Sequence, residues 1–450
     1  MIAVVTPEEM KAIDEAAPES TDVLVHRAGG AVARVAQAML GGTYGRRVVV
    51  VAGKGNNGAD GRDAAVRLRR KGVAVDVIEA TDAPKRLPDA DLVIDAAYGT
   101  GFHGEYQAPD PGAAPVLAVD IPSGVDGLTG EAGDGAVEAD CTVTFAALKP
   151  GLLLGPGVEH AGLVEVADIG LDASSASTGL VERSDVTRWL PGRERETHKW
   201  KSAVWVAAGS PGMTGAAELC SRSALRAGAG LVRLGVPGLD APPTPLEVIG
   251  RPLPREGWDE RVLEELDRFK ALVLGPGLGR EDAQGAAVRR LVAAAPVPVI
   301  VDADGLYALG NVGDAAQVIG GRSEPTVLTP HEGEFAHIRG QKVPPDRIGA
   351  ARQLADRTGA TVLLKGSTTV VAEPGGRVML SSTGDPRLAT AGTGDVLSGI
   401  VGAFLAQGLD GGEAAAAAAW VHGTAAHLGW RRGLVAGDLL DLVPAVLSDL

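Results

Sequence analysis

A chain of 450 residues is too long for one ordinary hydrophobic core, so two domains are expected. Hydrophobic residues make up 45% of it and aromatics only 3%, so Ala, Val and Leu must fill the interior, the profile of a soluble α/β enzyme. The formal net charge of −15 argues against a nucleic-acid or anionic-membrane surface, which needs clustered Lys and Arg, and leaves room only for a local basic pocket around one anionic ligand.

Met1 to Met10 carries no basic region followed by a long apolar run, and no apolar run in the chain is long enough to span a bilayer. A cytoplasmic protein with no targeting segment, no membrane partner and no nucleic-acid partner is the expectation. Thr6 before Pro7-Glu8-Glu9 starts a helix, with a capping hydroxyl, Pro at the first helical position and acids in the first turn. Arg46 to Gly53, with four consecutive valines, reads as a buried parallel strand running into a Gly-rich loop. Asp60 to Lys71 reads as a helix and Val73 to Ile78 as the next strand, completing a βαβ unit. Asp91 to Asp95 and Pro115 to Asp120 are two more strands, each closing on an Asp at the edge where open α/β sheets bind ligands. Cys141 and Cys220 lie far apart without CxxC spacing, so both are expected as core thiols in a reducing compartment.

Asp172 to Thr178 is small, polar and aperiodic, and marks the domain boundary. The division adopted is residues 1–175, a linker over 176–190, and residues 191–450. The second half restarts with Ala203 to Gly209 as a strand into a Gly turn, then an Ala-rich helix from Ala216 to Gly228. Further strands end at Gly275, Asp302 and Lys365, which makes this a second doubly wound sheet. The Pro-rich piece Ala241 to Pro245 is a loop.

Two stretches carry chemistry. In Ala389 to Gly399, Gly392 and Gly394 let the backbone approach an anion, the amides of a new helix point outward, and Asp395 stands within reach of a hydroxyl to or from which a phosphate moves. The same spacing also suits an Asp that merely lies near an N-cap. In Gly53 to Gly61, Asn56 and Asn57 offer carbonyl oxygens and NH₂ donors inside a Gly-rich loop, and Asp60 accepts from ribose or ring hydroxyls; Asn-Asn-Gly is also a good turn without any ligand. Asn57, Asp95 and main-chain oxygens near Ser123 form an all-oxygen set suited to a hard cation. Asp120, at its strand end, is the candidate acid/base. His422 and His427, five apart in an Ala-rich helix, read as packing or surface residues rather than metal ligands.

Gly53 to Gly61, Val93-Ile94-Asp95 with Gly99-Thr100-Gly101-Phe102-His103-Gly104-Glu105, and Val119 to Gly127 together resemble the NAD(P)H-hydrate epimerase family over roughly the first 170 residues. The resemblance implies a Rossmann-like three-layer α/β/α domain that interconverts the R and S hydrates of NADH and NADPH with potassium bound. It implies substrate contacts from Asn56, Asn57, Gly58, Ala59, Asp60, Gly99, Thr100, Gly101, Phe102, His103, Gly104, Glu105 and Asp120, and potassium contacts from Asn57, Asp95 and Ser123. The family commonly has Gly where this chain has Ala59.

From residue 190 onward, Gly275-Pro276-Gly277, Val301 to Gly305, Leu328 to Glu334, Leu364 to Thr369 and the Asp395 stretch resemble the ribokinase-like ADP/ATP-dependent NAD(P)H-hydrate dehydratases. That resemblance implies phosphorylation of the hydrate's hydroxyl by ADP or ATP with Mg²⁺, then loss of phosphate. Asp395 would take the hydroxyl proton, and the amides from Ala391 to Gly394 would stabilise the transferring group. Ala216, Gly277, His331 and Asp395 would contact the hydrate, and Lys365, Gly366, Ser367, Thr368, Thr369 and Gly394 the nucleotide. His198 to Ser202 departs from the family's more Gly-rich form. Both resemblances imply a homo-oligomer.

Overall fold

The computed structural model describes residues 1–102, 104–192 and 195–450. The chain forms two compact units, Ile2–Thr178 and Gly179–Leu450, the second taking in Met1. Thr178–Leu180 is a strand and Arg183–Trp189 a helix, inside the stretch assigned above as linker.

In the N-terminal unit, the helix Pro7–Ala16 starts as its residues require: Thr6 Oγ1 accepts from the Glu9 amide at 3.1 Å, and Glu9 Oε2 accepts from the Thr6 amide at 2.8 Å. Six parallel strands follow in the order Ala74–Glu79, Arg47–Ala52, Leu92–Ala96, Val116–Val119, Cys141–Phe145, Leu163–Ala167. Val48, Val49, Val50 and Val51 are all buried, as a β-branched run with both faces covered should be, and full burial of each is worth about 1.5–3 kcal/mol. The helices Thr21–Leu40 and Asn56–Arg70 cover the face that carries Val48, Val50, Ile94 and Leu117. The other face, with Val49, Val51, Val93 and Val116, is packed by Leu87, Tyr98, Tyr106 and Val137 from loop segments. The chain leaves Arg47–Ala52 toward one edge and returns on the other side of it at Leu92–Ala96, so the topological switch point lies between these two strands, where such sheets bind ligands.

One boundary differs from the sequence reading. The helix begins at Asn56, not Asp60, so Asn56 and Asn57 are first-turn residues rather than loop residues. Close packing pulls the helix start inward: a Cβ on Gly58 would lie 1.9 Å from the Gly53 carbonyl oxygen, so only glycine lets the first turn sit on the end of the strand.

In the C-terminal unit the parallel strands run Thr361–Leu364, Thr326–Leu328, Val299–Val301, Ala271–Leu274, Ala203–Ala207, Leu231–Pro237, Ile249–Leu253. An antiparallel hairpin, Thr369–Ala372 with Val378–Ser381, extends the first of them. The Ala-rich helix is Gly215–Arg226, and it packs against the almost wholly buried helix Thr393–Ala406. Gly399 makes that approach possible, since a Cβ there would fall 2.0 Å from Ser223 Oγ and 2.2 Å from the Cys220 carbonyl oxygen. The packing anchors the N-terminus of Thr393–Ala406 over the carboxyl edge of the sheet.

Candidate active sites

Strand order alone gathers the motifs of each unit. In the C-terminal unit, five adjacent parallel strands end in Gly209, Gly275 to Gly279, Asp302, Thr329 to His331, and Lys365, all at one edge. Ala216 and Gly277 meet there: a Cβ on Gly277 would lie 3.4 Å from Ala216 Cβ. Asp304 fastens the glycine loop, with its Oδ2 accepting from the Gly279 amide at 3.0 Å and its Oδ1 from Arg280 Nε at 2.8 Å.

Lys365 is the centre of this site. Its Nζ donates to Asp302 Oδ1 at 2.9 Å, lies 3.8 Å from Glu334 Oε2, and would be 3.5 Å from a Cβ on Gly394. Asp302 Oδ2 accepts from Ser398 Oγ at 2.6 Å, which ties the lysine's partner to the helix that carries Asp395. Burial works against charge on Lys365, but Asp302 and Glu334 outweigh it and raise its pKa, so the ammonium persists. Burial likewise raises Asp302, yet Lys365 and Ser398 overcome it and hold that carboxyl below the usual range. Asp395 has no hydrogen-bond or ion-pair partner among the described residues. Burial, then the charge of Asp302, push it up to about 7 against the opposing pull of Lys365. The helix behind it starts at Gly392 (φ 92°), and Thr393 Oγ1 donates to the carbonyls of Leu388 at 2.7 Å and Thr390 at 2.9 Å, holding the turn so that the first-turn amides face outward beside the lysine. Asp302, Glu334 and Ser398 lie in the motif stretches but were given no role of their own from the sequence.

His331 caps the helix Glu332–Arg339. Its Nδ1 accepts from the amides of Gly333 at 3.0 Å and Glu334 at 3.2 Å, which leaves Nε2 for a ligand or for Glu334 Oε1 at 3.4 Å. Gly366, Ser367 and Thr368 form the turn from Thr361–Leu364 into the antiparallel hairpin, beside Lys365, and Thr369 opens the hairpin's first strand. His422 is buried, and burial lowers its pKa to about 4; His427 Nε2 lies 3.3 Å from Asp385 Oδ2. Asp302→Asn is expected to lower turnover at this site about 10²-fold by releasing Lys365, with nucleotide affinity also reduced, measured by steady-state kinetics.

In the N-terminal unit a cavity of about 660 Å³ opens at the switch point, large enough for a nicotinamide nucleotide. Asn56, Asn57, Asp60, Gly99, Thr100, Gly101, Phe102 and Asp120 line it. Gly58, Ala59, Gly104 and Glu105 do not, and His103 lies outside the described residues. Asp120 has a left-handed backbone (φ 68°), a strained conformation for this residue at the end of its strand. Its Oδ2 accepts from the Thr100 amide at 3.0 Å and Thr100 Oγ1 at 2.5 Å, and its Oδ1 lies 2.8 Å from Lys149 Nζ. Lys149 is 1% exposed and also donates to Thr144 Oγ1 and the Phe145 carbonyl. Sequence reading missed it, although Lys149-Pro150-Gly151 follows a strand end at this same edge.

Beside the cavity, Asp95 is 3% exposed. Ser123 donates to it from both its amide and its hydroxyl at 2.8 Å, and burial raises its pKa to about 6. Asn57 Oδ1 and Nδ2 are both buried without a hydrogen-bond partner among the described residues, an uncommon state for a buried amide. A second cavity of about 510 Å³ lies on the loop-packed face, with Asp95 and Tyr106 in its lining.

Fold and sites together define a two-unit α/β enzyme, with a cavity lined by Asp60, Asp120 and Lys149 in the first unit and a helix N-terminus facing a lysine and a carboxylate in the second. Residues 204–444 match the model of the NAD(P)H-hydrate dehydratase family, and residues 21–90 and 79–151 match that of the YjeF-related protein N-terminus. The chain is 42% identical to the bifunctional NAD(P)H-hydrate repair enzyme Nnr of Mycobacterium tuberculosis (strain H37Rv), over 86% of this chain and 84% of that one. It is 36% identical to the enzyme of the same name from Moorella thermoacetica, over 99% and 97% respectively. The ADP/ATP-dependent NAD(P)H-hydrate dehydratase of Bacillus subtilis, co-crystallised with ATP/Mg²⁺, superposes with a TM-score of 0.51 at 32% identity, covering 59% of this chain and 95% of that one. The chain belongs to the family of bifunctional NAD(P)H-hydrate repair enzymes.

Proposed function

We propose that the N-terminal unit interconverts the R and S hydrates of NADH and NADPH, and that the C-terminal unit dehydrates the S form to the reduced nucleotide at the expense of ADP or ATP. The observation that carries the second half is Asp395, poised near neutrality at a helix N-terminus beside the Lys365 ammonium. Asp395 takes the proton of the hydrate's hydroxyl as that oxygen attacks the phosphoryl group. The first-turn amides and Lys365 receive the charge that develops on the transferring oxygens. Hydroxide is a poor leaving group and phosphate a good one. The C–O bond to the phosphate then breaks as the ring nitrogen's lone pair pushes, and inorganic phosphate leaves. The adjacent ring carbon gives up a proton to solvent, and the ring's double bond returns. Asp302, Glu334 and Asp395 set three carboxyls against one lysine, a surplus of negative charge suited to Mg²⁺ arriving with the nucleotide's phosphates. With the S hydrate, nucleotide and Mg²⁺, inorganic phosphate should appear in step with reduced nicotinamide. A stable phosphorylated product without recovery of absorbance would instead make this unit a small-molecule kinase.

In the N-terminal unit, Asn57, Asp95 and Ser123 are the residues that would hold potassium; the unpartnered Asn57 carbonyl and the buried Asp95 carboxyl support this assignment. The ion would supply fixed positive charge at the rim of the substrate cavity. KCl in tenfold excess over its dissociation constant is expected to raise the melting temperature by about 3–6 °C relative to choline chloride at equal ionic strength, and Asn57→Leu to remove the difference. Equal melting in both salts would dismiss the site.

A further inference from the structure

We propose that epimerisation runs on two opposed carboxyl groups: Asp60 protonates the departing hydroxyl, Asp120 takes a proton from the water that re-adds, and Lys149 keeps the two roles apart. The assignment rests on the epimerase reading above and adds the acid, the base and the route.

Both carboxyl groups line the same cavity, but their surroundings are opposite. The donors around Asp120 suit an ionised carboxylate: the Thr100 amide, Thr100 Oγ1, Thr144 Oγ1 and Lys149 Nζ. Asp60, 7% exposed on the first turns of the helix Asn56–Arg70, receives no hydrogen bond or ion pair from the described residues. It has carboxylates for neighbours instead: Asp14 from the helix Pro7–Ala16, Asp63 from its own helix and Asp120 from the strand end. Of the nearby basic side chains, Arg67 donates to Asp63, and His26 Nδ1 lies within hydrogen-bond distance of the same carboxyl. Lys149 is committed to Asp120, Thr144 and Phe145. Lys11, Glu19 and Lys54 complete the charged groups on the cavity wall. Burial and then the charge of Asp120 push Asp60 up to about 8. Burial works to raise Asp120 too, but Lys149 and Thr100 outweigh it and hold it below the usual carboxylate range. At neutral pH one group therefore holds a proton and the other lacks one, the division of labour of an acid/base pair.

The chemistry of the hydrate asks for that pair. Water adds to an enamine at the carbon next to nitrogen, so the stereocentre bears both a hydroxyl and the ring nitrogen. Asp60 gives its proton to the hydroxyl, the C–O bond breaks, the nitrogen lone pair closes a C=N bond, and water leaves. Water then adds to the opposite face, the C=N pair returns to nitrogen, and Asp120 takes the proton that the adding water releases. One water leaves and one enters, the configuration inverts, and a proton returns from Asp120 to Asp60 before the next turnover.

The test uses the full chain with the purified R hydrate in H₂¹⁸O without nucleotide, corrected for the uncatalysed reaction. Mass spectrometry should find one ¹⁸O per inverted molecule. An inverted product that keeps its original oxygen would overturn the mechanism, because ring opening does not break that C–O bond. Asp60→Asn should lower kcat for epimerisation about 10²-fold, with KM within about threefold and nucleotide-dependent dehydration of the S hydrate unchanged. In the wild type, kcat/KM should fall as pH rises through about 8, where Asp60 loses its proton. An unchanged kcat, or an effect on KM alone, would reduce Asp60 to a binding residue and overturn its role. Absence of epimerisation in the wild type would instead remove the underlying epimerase reading.

Discussion

Asp395→Asn is expected to lower nucleotide-dependent dehydration by about 10²–10⁴-fold while leaving epimerisation at the wild-type rate. The substitution keeps the shape of the side chain and removes only its capacity to accept the hydroxyl proton. Loss of stability is not expected to confuse the result. Asp395 is raised in the fold by burial and by Asp302, so an uncharged amide relieves carboxylate crowding rather than orphaning a partner. The same environment sets a pH dependence. A base must be ionised to act, and Asp395 sits at about 7, so kcat/KM for dehydration should climb as pH rises through that value. Steady-state rates and thermal melting of the variant beside wild type check both statements. An Asp395→Asn enzyme with more than a tenth of wild-type turnover would show that another group takes the proton.

Lys149→Met should have the second-largest effect, and on both stability and activity. Lys149 is 1% exposed, with its charge met by Asp120 at 2.8 Å and its remaining donors used by Thr144 Oγ1 at 2.8 Å and the Phe145 carbonyl at 3.0 Å. Methionine fills the channel but leaves Asp120 as a carboxylate without its cation, and removing one partner of a buried pair costs about 3–5 kcal/mol. Burial then raises Asp120, the base is lost, and epimerisation goes with it. Adding Asp120→Asn to Lys149→Met should recover part of the stability and none of the epimerisation. Denaturant melts of the two variants separate the outcomes; equal stability of both would mean that the pair is not the source of the loss.

Local signals in the sequence account for the frame and for half of each site. Four valines in a row, the Thr6-Pro7-Glu8-Glu9 cap and strands closing on Asp95 and Asp120 are all short-range patterns, and each appears in the fold where its chemistry places it. The helix start was misplaced because Asn-Asn-Gly satisfies the rules for a turn, while the contact that draws it into the helix comes from Gly53 packing on Gly58. Lys149 was passed over, and Asp302 was read only as a strand end, for a different reason. A buried ion pair is made by residues that meet only after the sheet has assembled, and Asp302 is 63 positions from the lysine it holds. Protonation lies beyond pattern altogether: Asp60 and Asp395 owe their raised pKa values to burial and to carboxylates brought in from other elements. The antiparallel extension Thr369–Ala372 with Val378–Ser381 was hidden by reading Lys365 to Thr369 only as a ligand loop.

The most direct test of the whole account follows reduced-nicotinamide absorbance after ADP or ATP, Mg²⁺ and K⁺ are added to mixed R and S NADPH hydrates, with wild type, Asp395→Asn and Asp120→Asn in parallel. Wild type should recover the full absorbance, and Asp395→Asn almost none on the same timescale. Asp120→Asn should show a fast phase that stops at the S fraction, followed only by the slow uncatalysed conversion of the R form. No recovery by wild type with either nucleotide would contradict the repair function.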